Sequence, residues 1–478
     1  MLRPPQSSLL TDNNLALFLD YYQLSMGQAD FKRKNNSLCT ENYFIRKIPQ
    51  GKYLVVAGLE QVIHYILNIK FTDSDLDWLQ STNPGVELES DFIDYLRNFK
   101  FDGDIYALPE GSLAFANEPI INVTGKSIDV QIFETYLLTI MNFQTLIATK
   151  ATRVTHSARG RICFDFGARR AHGRDAAILA ARASVIGGIK ATSLVVAAKY
   201  FNVPYVGTMA HKFVQDSSSE LQAFRDYANA FPENTILLVD TYDTLQGTRN
   251  AVQVAKEMET QGQRIHGIRI DSGDLIFLSQ SVRAILDQAG LQKVKIFASN
   301  DLDEFQIDRL LRAKAPIDGF GVGTRLATGA VLNSITGEGG VSSMPGVYKH
   351  VEREENGITI PTLKISSDIE KSTLAAKKQV LRISRKSQYI RDQICLWNEV
   401  SEGRGLMIPI VKNGELIYNF PSVQQIQAYA TKELTKLPNC YKTLSEEGKD
   451  RNGGEYPVEI SPQLAALQKK VIKEKTTP

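Results

Sequence analysis

The middle of this 478-residue chain alternates short apolar runs with longer amphipathic stretches, and this alternation constrains the fold more than any other feature. The runs that end at Asp240, Asp271, Ser299 and Gly323 are spaced by roughly 25–30 residues, the length of one strand–helix unit. Successive units predict a parallel sheet and favour an incomplete α/β barrel, although an open doubly wound sheet has the same pattern. The predicted strands are Ile162–Phe166, Val203–Gly207, Ile236–Asp240, Ile265–Asp271, Lys295–Ser299 and Ile317–Gly323, and the predicted helices include Thr248–Glu259 and Leu275–Ala289.

The segments on either side of this alternation have different patterns. Residues 1–135 mix apparent helices with short β-rich runs, which predicts an α+β domain. Residues 136–337 form the predicted barrel domain, and residues 338–478 predict a β-rich C-terminal region that packs back on the N-terminal domain. We expect strands at Tyr53–Ala57, Ile105–Leu108, Val347–Val351, Ile358–Ile365 and Gln379–Ile383, and a frayed, lysine-rich tail over Lys469–Pro478.

The composition argues against several classes of protein. Hydrophobic residues make up 43% of the chain, and the formal net charge is only +2, which argues against nucleic acid or a membrane surface as the main partner. No run approaches the roughly 18–20 apolar residues of a membrane span, and residues 1–10 lack a signal-peptide pattern, so a reducing cytoplasm is the expected location. The cysteines have neither CxxC spacing nor neighbouring histidines in the sequence, so we expect no metal site and no disulfide framework; they are Cys39, Cys163, Cys395 and Cys440.

Glycines and small polar residues follow four of the predicted strands. Such residues let backbone N–H groups approach a phosphate closely, and the carboxyl ends of parallel strands share one edge of the sheet. Strand termination and helix capping would explain any single cluster, but four clusters in strand order favour a phosphorylated ligand. The GxxxxGK[ST] motif is absent, which disfavours a Walker-type ATPase. The clusters are Gly207–His211, Asp271–Asp274, Ser299–Asp301 and Gly321–Arg325.

Two further features at strand ends indicate specific chemistry. Arg169 and Arg170 follow a predicted strand, where a guanidinium pairs well with a carboxylate or phosphate, although a basic pair in a solvated loop is the alternative. His211 lies close to Thr208 after the next predicted strand. An imidazole there suits proton transfer or acceptance of a phosphoryl group, although a lone histidine is more often structural.

Eight motifs along the chain closely resemble those of nicotinate phosphoribosyltransferases of the longer type that animals also have. They lie in the family's order and are highly specific in combination. The motifs are DYYQLSM (Asp20–Met26), FIRKIPQGKYLVVAGLE (Phe44–Glu60), EGSLAFANEPI (Glu110–Ile120), DFGARRAHG (Asp165–Gly173), GTMAHKFV (Gly207–Val214), GIRIDSGDL (Gly267–Leu275), ASNDLDE (Ala298–Glu304) and GFGVGTRLATG (Gly319–Gly329).

The resemblance implies the type II phosphoribosyltransferase fold, in which an N-terminal α+β domain and C-terminal segments pack around an incomplete α/β barrel. It implies that nicotinate and 5-phosphoribosyl 1-pyrophosphate (PRPP) give nicotinate mononucleotide and pyrophosphate in NAD salvage, the Preiss–Handler pathway. It further implies Mg²⁺ with the phosphorylated substrates, ATP as a co-substrate whose hydrolysis is coupled to the reaction, and a homodimer with active sites near the subunit interface.

Matching positions imply roles for individual residues. Tyr22 corresponds to the tyrosine that stacks on the pyridine ring, and His211 to the histidine that ATP phosphorylates. Asp271 is the candidate for contacts to the ribose hydroxyls, with Asp240 as a weaker one. The remaining implied contacts are Arg169, Thr208 and Arg269 for nicotinate, and Gly273, Ser299, Gly321, Gly323 and Thr324 for the phosphates of PRPP.

Two positions depart from the family pattern. Residues Asn13–Leu19 separate Thr11 and Asp12 from the tyrosine helix, so Tyr21 competes with Tyr22 for the stacking role. Ala375-Ala376 stands where relatives carry Pro-Gly, which leaves open whether that loop touches a ligand.

Three other functions share features with this sequence. Nicotinamide phosphoribosyltransferase shares the fold, but its neutral amide substrate gains little from the Arg169-Arg170 pair. Quinolinate phosphoribosyltransferase is usually a shorter chain and would need more basic residues for two carboxylates. A catalytically silent, ligand-binding barrel is disfavoured because the strand-end motifs are intact.

Overall fold

The computed structural model of the chain describes residues 10, 14–48, 52–81, 88–330, 343–365, 373–444 and 454–476, whose helices and strands fall into three successive groups. The first group contains α1 (Tyr21–Lys32), β1 (Leu38–Ile45), β2 (Leu54–Val55), α2 (Leu59–Asn68), α3 (Asp73–Ser81), α4 (Ser90–Arg97), β3 (Asp104–Ala107), β4 (Leu113–Ala114), β5 (Pro119–Lys126) and α5 (Ser127–Ile132). The second contains α6 (Glu134–Ser157), β6 (Ile162–Asp165), α7 (Arg174–Ile186), β7 (Ala191–Thr192), α8 (Val195–Phe201), α9 (His211–Gln215), α10 (Glu220–Ala230), β8 (Ile236–Leu238), α11 (Thr244–Thr260), β9 (Gly267–Ile270), α12 (Leu275–Gln288), β10 (Lys295–Ala298), α13 (Glu304–Arg312), β11 (Gly319–Val322) and α14 (Thr324–Ala327). The third contains β12 (Gly346–Glu355), β13 (Ile358–Pro361), β14 (Lys378–Arg385), β15 (Gln388–Leu396), β16 (Arg404–Gly405), β17 (Ile408–Lys412), β18 (Glu415–Leu416), α15 (Val423–Lys436), β19 (Val458–Ile460) and α16 (Pro462–Thr476).

Six strands of the second group form a parallel sheet in the order β7-β6-β11-β10-β9-β8. From β8 to β11 each strand lies beside the next strand in the chain, and β6 and β7 then follow on the far side of β11. This order is that of a barrel wound in one direction, whereas a doubly wound sheet reverses direction at a switch point. The incomplete α/β barrel is therefore confirmed. No helix in the described ranges is long and apolar enough to cross a membrane.

One strand predicted for the barrel is wrong. Val203–Gly207 contributes only a single parallel bridge, between Tyr205 and Thr192, and the sheet edge is instead the two-residue strand β7. Pro204 explains the difference, because it has no N–H group to donate to a neighbouring strand. The segment nevertheless runs alongside β7, because the Val206 amide donates to the Thr192 carbonyl at 3.0 Å. The chain then continues into the Gly207–His211 cluster.

A seven-stranded sheet combines strands from the first and third groups in the order β13-β12-β1-β5-β3-β17-β18. β12 pairs antiparallel with β1, and β17 pairs antiparallel with β3. Their buried side chains share one core, which includes Tyr43, Tyr348 and Ile410. C-terminal strands thus pack on N-terminal ones, while the residue limits of the three domains stay a prediction.

A buried ion-pair network fixes helix α7 against the first group of elements. The guanidinium of Arg182, which is fully buried, lies 2.8 Å from carboxylate oxygens of Glu110 and of Glu60. Removing one partner from a buried pair leaves a charge without compensation and costs several kcal/mol. The network therefore holds α7, the helix that follows the Arg169-Arg170 pair, in one position.

The frayed tail expected over Lys469–Pro478 is also wrong for the residues that are described, because α16 extends to Thr476. Leu464 and Val471 are buried, and the Gln468 side chain donates to the Thr373 carbonyl at 2.9 Å. Residues 464, 468 and 471 follow helical spacing, so they lie on one face. The lysines of α16 lie on its exposed faces, and their number made the buried face hard to see in the sequence. Residues 477–478 lie outside the described residues.

Candidate active site

The carboxyl ends of β6, β9, β10 and β11, with the segment after β7, surround a cavity of about 410 Å³. Every predicted site residue lines this cavity except Tyr22, Gly273 and the weaker candidate Asp240. Clusters far apart in the sequence therefore meet at one edge of the parallel sheet, as expected for this architecture. The lining comprises Phe166, Ala168, Arg169, Arg170, Ser193, Gly207, Thr208, Met209, Ala210, His211, Arg269, Asp271, Ser299, Asn300, Asp301, Gly321, Gly323 and Thr324.

Asp165, at the end of β6, organises the turn that presents the two arginines. Its carboxylate accepts hydrogen bonds from the Gly167 amide and the Thr192 hydroxyl, both at 2.8 Å. Burial raises the pKa of this carboxyl, while the two donors act in the opposite direction. A side chain on Gly167 would place Cβ 2.5 Å from the Cβ of Ala327, so the turn is compact because this residue is glycine. Arg169 and Arg170 follow immediately in a 3₁₀ turn.

Arg269 projects from β9 into the cavity with its charge largely removed from water. Its guanidinium donates to the Thr208 hydroxyl at 2.6 Å and lies 6.0 Å from the centroid of the Phe166 ring. Burial lowers the pKa of Arg269, and the nearby Asp271 carboxylate opposes this effect. A guanidinium remains charged in proteins even so. Its buried Nε has no hydrogen-bond partner among the described residues, so Arg269 has an unused donor.

His211 is the first residue of α9 and lies between two polar partners. Its Nδ1 lies 3.2 Å from the Thr241 hydroxyl, and its Nε2 lies 3.8 Å from a carboxylate oxygen of Asp271. The other oxygen of Asp271 accepts a hydrogen bond from the Ser299 hydroxyl. A histidine held in this way can present one ring nitrogen to a ligand while the other is oriented by the protein.

Asp240 supports this arrangement from the end of β8. One of its carboxylate oxygens accepts from the Asp271 amide at 2.8 Å and from the Ser272 hydroxyl at 2.6 Å. Its second oxygen is buried without a partner among the described residues. Asp240 does not line the cavity, so its contacts position Asp271 and do not reach a ligand directly.

The glycines after β11 differ in what surrounds them. A Cβ on Gly321 would lie 2.4 Å from two ring carbons of Phe166, so that position needs glycine for packing. A Cβ on Gly323 would meet nothing nearer than the Phe166 carbonyl, at 3.6 Å. Gly323 therefore leaves open space beside Thr324, where a ligand can approach the backbone.

Oxygen ligands suited to Mg²⁺ are present at the same edge. The carboxylates of Asp271 and Asp301 line the cavity, and Asn300 and Asp301 both have left-handed backbone, with φ of 79° and 46°. Magnesium usually takes one or two carboxylates and obtains the rest of its shell from water and substrate phosphates. These residues fit a magnesium ion that arrives with a pyrophosphate.

Tyr22 lies outside this cavity, in the first turn of α1. Its hydroxyl donates to Glu134 at 2.7 Å, and burial together with that carboxylate raises the pKa of the phenol. The side chain is nevertheless 45% exposed, and that of Tyr21 is 40% exposed. A single chain therefore does not bring either tyrosine to the cavity.

Gly273 and the Ala375-Ala376 loop lie elsewhere as well. Gly273 lines a neighbouring hollow of about 370 Å³ that shares Ser299, Asn300 and Asp301 with the cavity. Ala375 and Ala376 are buried and do not line the cavity. Ala376 has φ of 67°, a conformation that glycine adopts more readily, and this explains why Pro-Gly suits the same turn.

Two residues of the site were not among the sequence predictions. Phe166 forms the wall beneath Arg269, and Thr241 contacts His211. Phe166 is the last residue of the predicted strand Ile162–Phe166, and Thr241 directly follows the predicted strand end Asp240, so position along the strand was the signal that could have found them.

Comparison with known proteins supports the same architecture. The solved structure of human nicotinic acid phosphoribosyltransferase superposes with a TM-score of 0.77 over 95% of this chain and 99% of that one, at 24% identity. A nicotinate-nucleotide pyrophosphorylase from Pyrococcus furiosus superposes with a TM-score of 0.71 over 91% and 99%, at 22% identity. At these identities the likeness establishes the fold, an incomplete α/β barrel, and nothing beyond it.

Sequence relatives are closer. A nicotinate phosphoribosyltransferase of Bacillus subtilis is 40% identical, covering 94% of both chains. One from Mycobacterium tuberculosis is 37% identical, covering 94% of this chain and 92% of its own. Residues 17–142, 162–386 and 399–468 match, in turn, the N-terminal domain, the family and the C-terminal domain described for nicotinate phosphoribosyltransferase (NAPRTase). The chain belongs to the nicotinate phosphoribosyltransferase family.

Proposed function

We propose that this chain joins nicotinate to the phosphoribosyl group of PRPP in NAD salvage, releasing pyrophosphate and coupling the reaction to ATP hydrolysis. The observation that carries the proposal is a single cavity lined by Arg169, Arg269, His211 and the Gly321–Thr324 segment. The nicotinate carboxylate requires nearby cationic side chains, and the phosphates of PRPP require accessible backbone N–H groups. The cavity offers both. Membership of the nicotinate phosphoribosyltransferase family supports the same reaction.

In the proposed reaction the pyridine nitrogen attacks the anomeric carbon of PRPP, the new N–C bond forms, and the C–O bond to pyrophosphate breaks. The transition state has oxocarbenium character, as in glycoside chemistry, so the enzyme needs no nucleophile of its own for this step. Its tasks are to position the ring and to stabilise charge. Asp271, fixed by Ser299 and by its backbone bond to Asp240, is the residue we assign to the ribose. Mg²⁺ bound with PRPP would neutralise the departing pyrophosphate, and Asp301 would help to hold it.

Discrimination between nicotinate and nicotinamide follows from charge. Arg269 is partly exposed, but its Nε is buried and has no partner among the described residues, so a substrate carboxylate would satisfy a donor that water reaches poorly. Hydrogen bonds between a guanidinium and a carboxylate are about twice as strong as neutral ones. A neutral amide would gain less, and this supports nicotinate as the substrate.

The role proposed for ATP centres on His211. A ring nitrogen attacks the γ-phosphorus of ATP, the N–P bond forms, and the bond to the leaving ADP breaks; water later hydrolyses the phosphohistidine to phosphate. Nε2 faces Asp271 and Nδ1 faces Thr241, so a phosphoryl group here places negative charge beside the Asp271 carboxylate. Repulsion between the two would rearrange the Asp271–Ser299 contact and thereby couple ATP hydrolysis to substrate binding.

We further propose a homodimer, in which Tyr22 of one subunit reaches the cavity of the other. The support is its exposure, together with its absence from the lining of the cavity in its own chain. We place the enzyme in the cytoplasm, because its four cysteines are free thiols, as a reducing compartment would keep them. Its proposed partners are small molecules rather than nucleic acid or membrane, because its net charge is close to zero.

Pyrophosphate release from PRPP and Mg²⁺ tests these assignments, with nicotinate or nicotinamide as acceptor and with or without ATP. We expect turnover with nicotinate that rises with ATP, and His211→Ala should abolish the ATP-dependent part of the rate and the hydrolysis of ATP. His64→Gln, at an exposed histidine on α2, is the matched control. Turnover with nicotinamide alone would overturn the substrate, and no turnover with either would favour the silent barrel.

A further inference from the structure

Three potential metal ligands converge far from the catalytic cavity, on the seven-stranded sheet. Cys39 and Glu41 are two residues apart on β1 and therefore share a face, and His350 lies opposite Glu41 on β12. The register between the strands shifts at this point, because Thr40 pairs with Glu352 while Glu41 pairs with His350. A β-bulge of this kind re-aims side chains. It brings the thiol, the carboxylate and the imidazole within 4.8 Å of one another.

The carboxylate and the imidazole are in hydrogen-bond contact, at a separation that two ligands of one ion would also have. Nδ1 of His350 lies 3.0 Å from Oε1 of Glu41. Two ligands at about 2.0 Å from a tetrahedral zinc ion are separated by a similar distance. Cys39 is 3% exposed and Glu41 is 9% exposed, whereas the His350 side chain is 38% exposed. The cluster is therefore buried on the side of Cys39 and Glu41 and open to solvent on the side of His350.

Solvent reaches this open side from two hollows of about 850 and 600 Å³, which share Arg33, Ser127 and His350. Charged groups of both signs surround the cluster, and the two arginines that line the hollows are paired with carboxylates, Arg33 with Asp30 and Arg353 with Glu355. Asp30 and Asp129 act on the Cys39 thiol, and Glu134 acts on Glu41. Lys349 also acts on Glu41, but its ammonium lies 3.5 Å from Glu134 and is partly neutralised there.

One divalent ion between Cys39, Glu41 and His350 would contact the thiol, the carboxylate and the imidazole at once. A set of sulfur, nitrogen and oxygen ligands suits zinc and its first-row neighbours, whereas magnesium and calcium prefer oxygen alone.

We propose that Cys39, Glu41 and His350 bind one divalent ion of the zinc class, with a fourth coordination position open to the two hollows. The ion would link β12 of the C-terminal part to β1 of the N-terminal part. None of the three residues lines the catalytic cavity, so the site is separate from the magnesium of the reaction. Sequence spacing does not predict it, because Glu41 and His350 are separated by 309 positions.

Cobalt(II) is the probe that distinguishes this site from others. After chelator treatment, the full-length protein should bind one Co²⁺ per chain with a thiolate-to-cobalt charge-transfer band. Cys39→Ser and His350→Gln should remove the band or weaken binding by at least about tenfold, the loss expected when the surroundings of a metal are altered. Cys440→Ser and His64→Gln are matched controls and should leave the band unchanged. The band should also survive His211→Ala, since no cysteine lines the catalytic cavity.

No stoichiometric cobalt in the wild-type protein, or a band that survives Cys39→Ser, would overturn the proposal. Circular dichroism of each variant without metal separates lost ligation from lost folding. If Cys39→Ser does not fold, X-ray absorption of the zinc-loaded wild-type protein decides. One sulfur ligand among nitrogen and oxygen ligands supports the site, and a shell without sulfur overturns it.

Discussion

Arg269 shows how one side chain can set substrate choice. Its guanidinium donates to the Thr208 hydroxyl and lies over the Phe166 ring. Its buried Nε has no partner among the described residues. We expect Arg269→Gln to raise KM for nicotinate by about 10- to 100-fold, the loss of one charge-assisted hydrogen bond, while KM for PRPP changes little. The ratio of kcat/KM for nicotinate to that for nicotinamide should fall accordingly. Steady-state kinetics measure this, with Arg264→Gln at an exposed arginine as control. An unchanged ratio would remove Arg269 from the nicotinate site.

Lys378 makes a pH-dependent contribution to stability. It is buried, its ammonium donates to the carbonyls of Leu374 and Ala376 at 2.9 and 2.5 Å, and desolvation lowers its pKa to about 7. An unfolded lysine has a pKa near 10.4, so above pH 7 the unfolded chain binds more protons than the folded one, and this lysine's contribution to stability rises with pH.

We therefore expect the free energy of unfolding of the wild-type protein, relative to Lys378→Met, to increase by up to about 1.4 kcal/mol per pH unit between about pH 7 and pH 10. Denaturant unfolding at several pH values measures the difference. Lys432→Met, at an exposed lysine of α15, should show no such slope. A wild-type advantage that shrinks as pH rises would contradict the direction of the shift.

At the scale of elements, β11 and the turn after it contain two glycines with different physical requirements. Gly321→Ala would drive a methyl group into the Phe166 ring, so we expect a loss of about 1–3 kcal/mol in stability and weaker nicotinate binding through the displaced ring. Gly323→Ala meets only ordinary contacts. It should keep the wild-type thermal midpoint but raise KM for PRPP, because the methyl group occupies the approach of a phosphate to the backbone. Thermal unfolding and steady-state kinetics of both variants test this pair. Normal PRPP binding by a folded Gly323→Ala would show that the backbone there does not contact phosphate.

At the scale of the whole molecule, local sequence patterns predicted the barrel, whereas side-chain contacts between segments far apart in the sequence were not predicted. Apolar runs ending in polar clusters located β9, β10 and β11 to within two residues, because strand period and turn residues are local signals. β7 has only two residues and leaves no periodic pattern. Pairs such as Arg182 with Glu110, or Glu41 with His350, form only once the chain has folded, and residue spacing does not specify them. The cavity was predictable because parallel strands bring their ends together, whereas Tyr22, assigned to the site from the family resemblance, does not line the cavity of its own chain.

Assembly can be tested by mixing two inactive variants. If Tyr22 of one subunit completes the cavity of the other, a heterodimer of Tyr22→Ala and Arg169→Ala chains has both changes in one site and neither in the other. Random pairing makes half of the dimers heterodimers, so we expect co-expression to restore about one quarter of wild-type activity. If Tyr22 served the cavity of its own chain, every site would carry one substitution and no activity would return. A mixture of Arg169→Ala with Thr208→Ala is the control, because both residues line the same cavity of one chain and their heterodimer should stay inactive. Sedimentation of the mixture checks that dimers form, and recovered activity in the first mixture but not in the second would establish that the active site is shared between subunits.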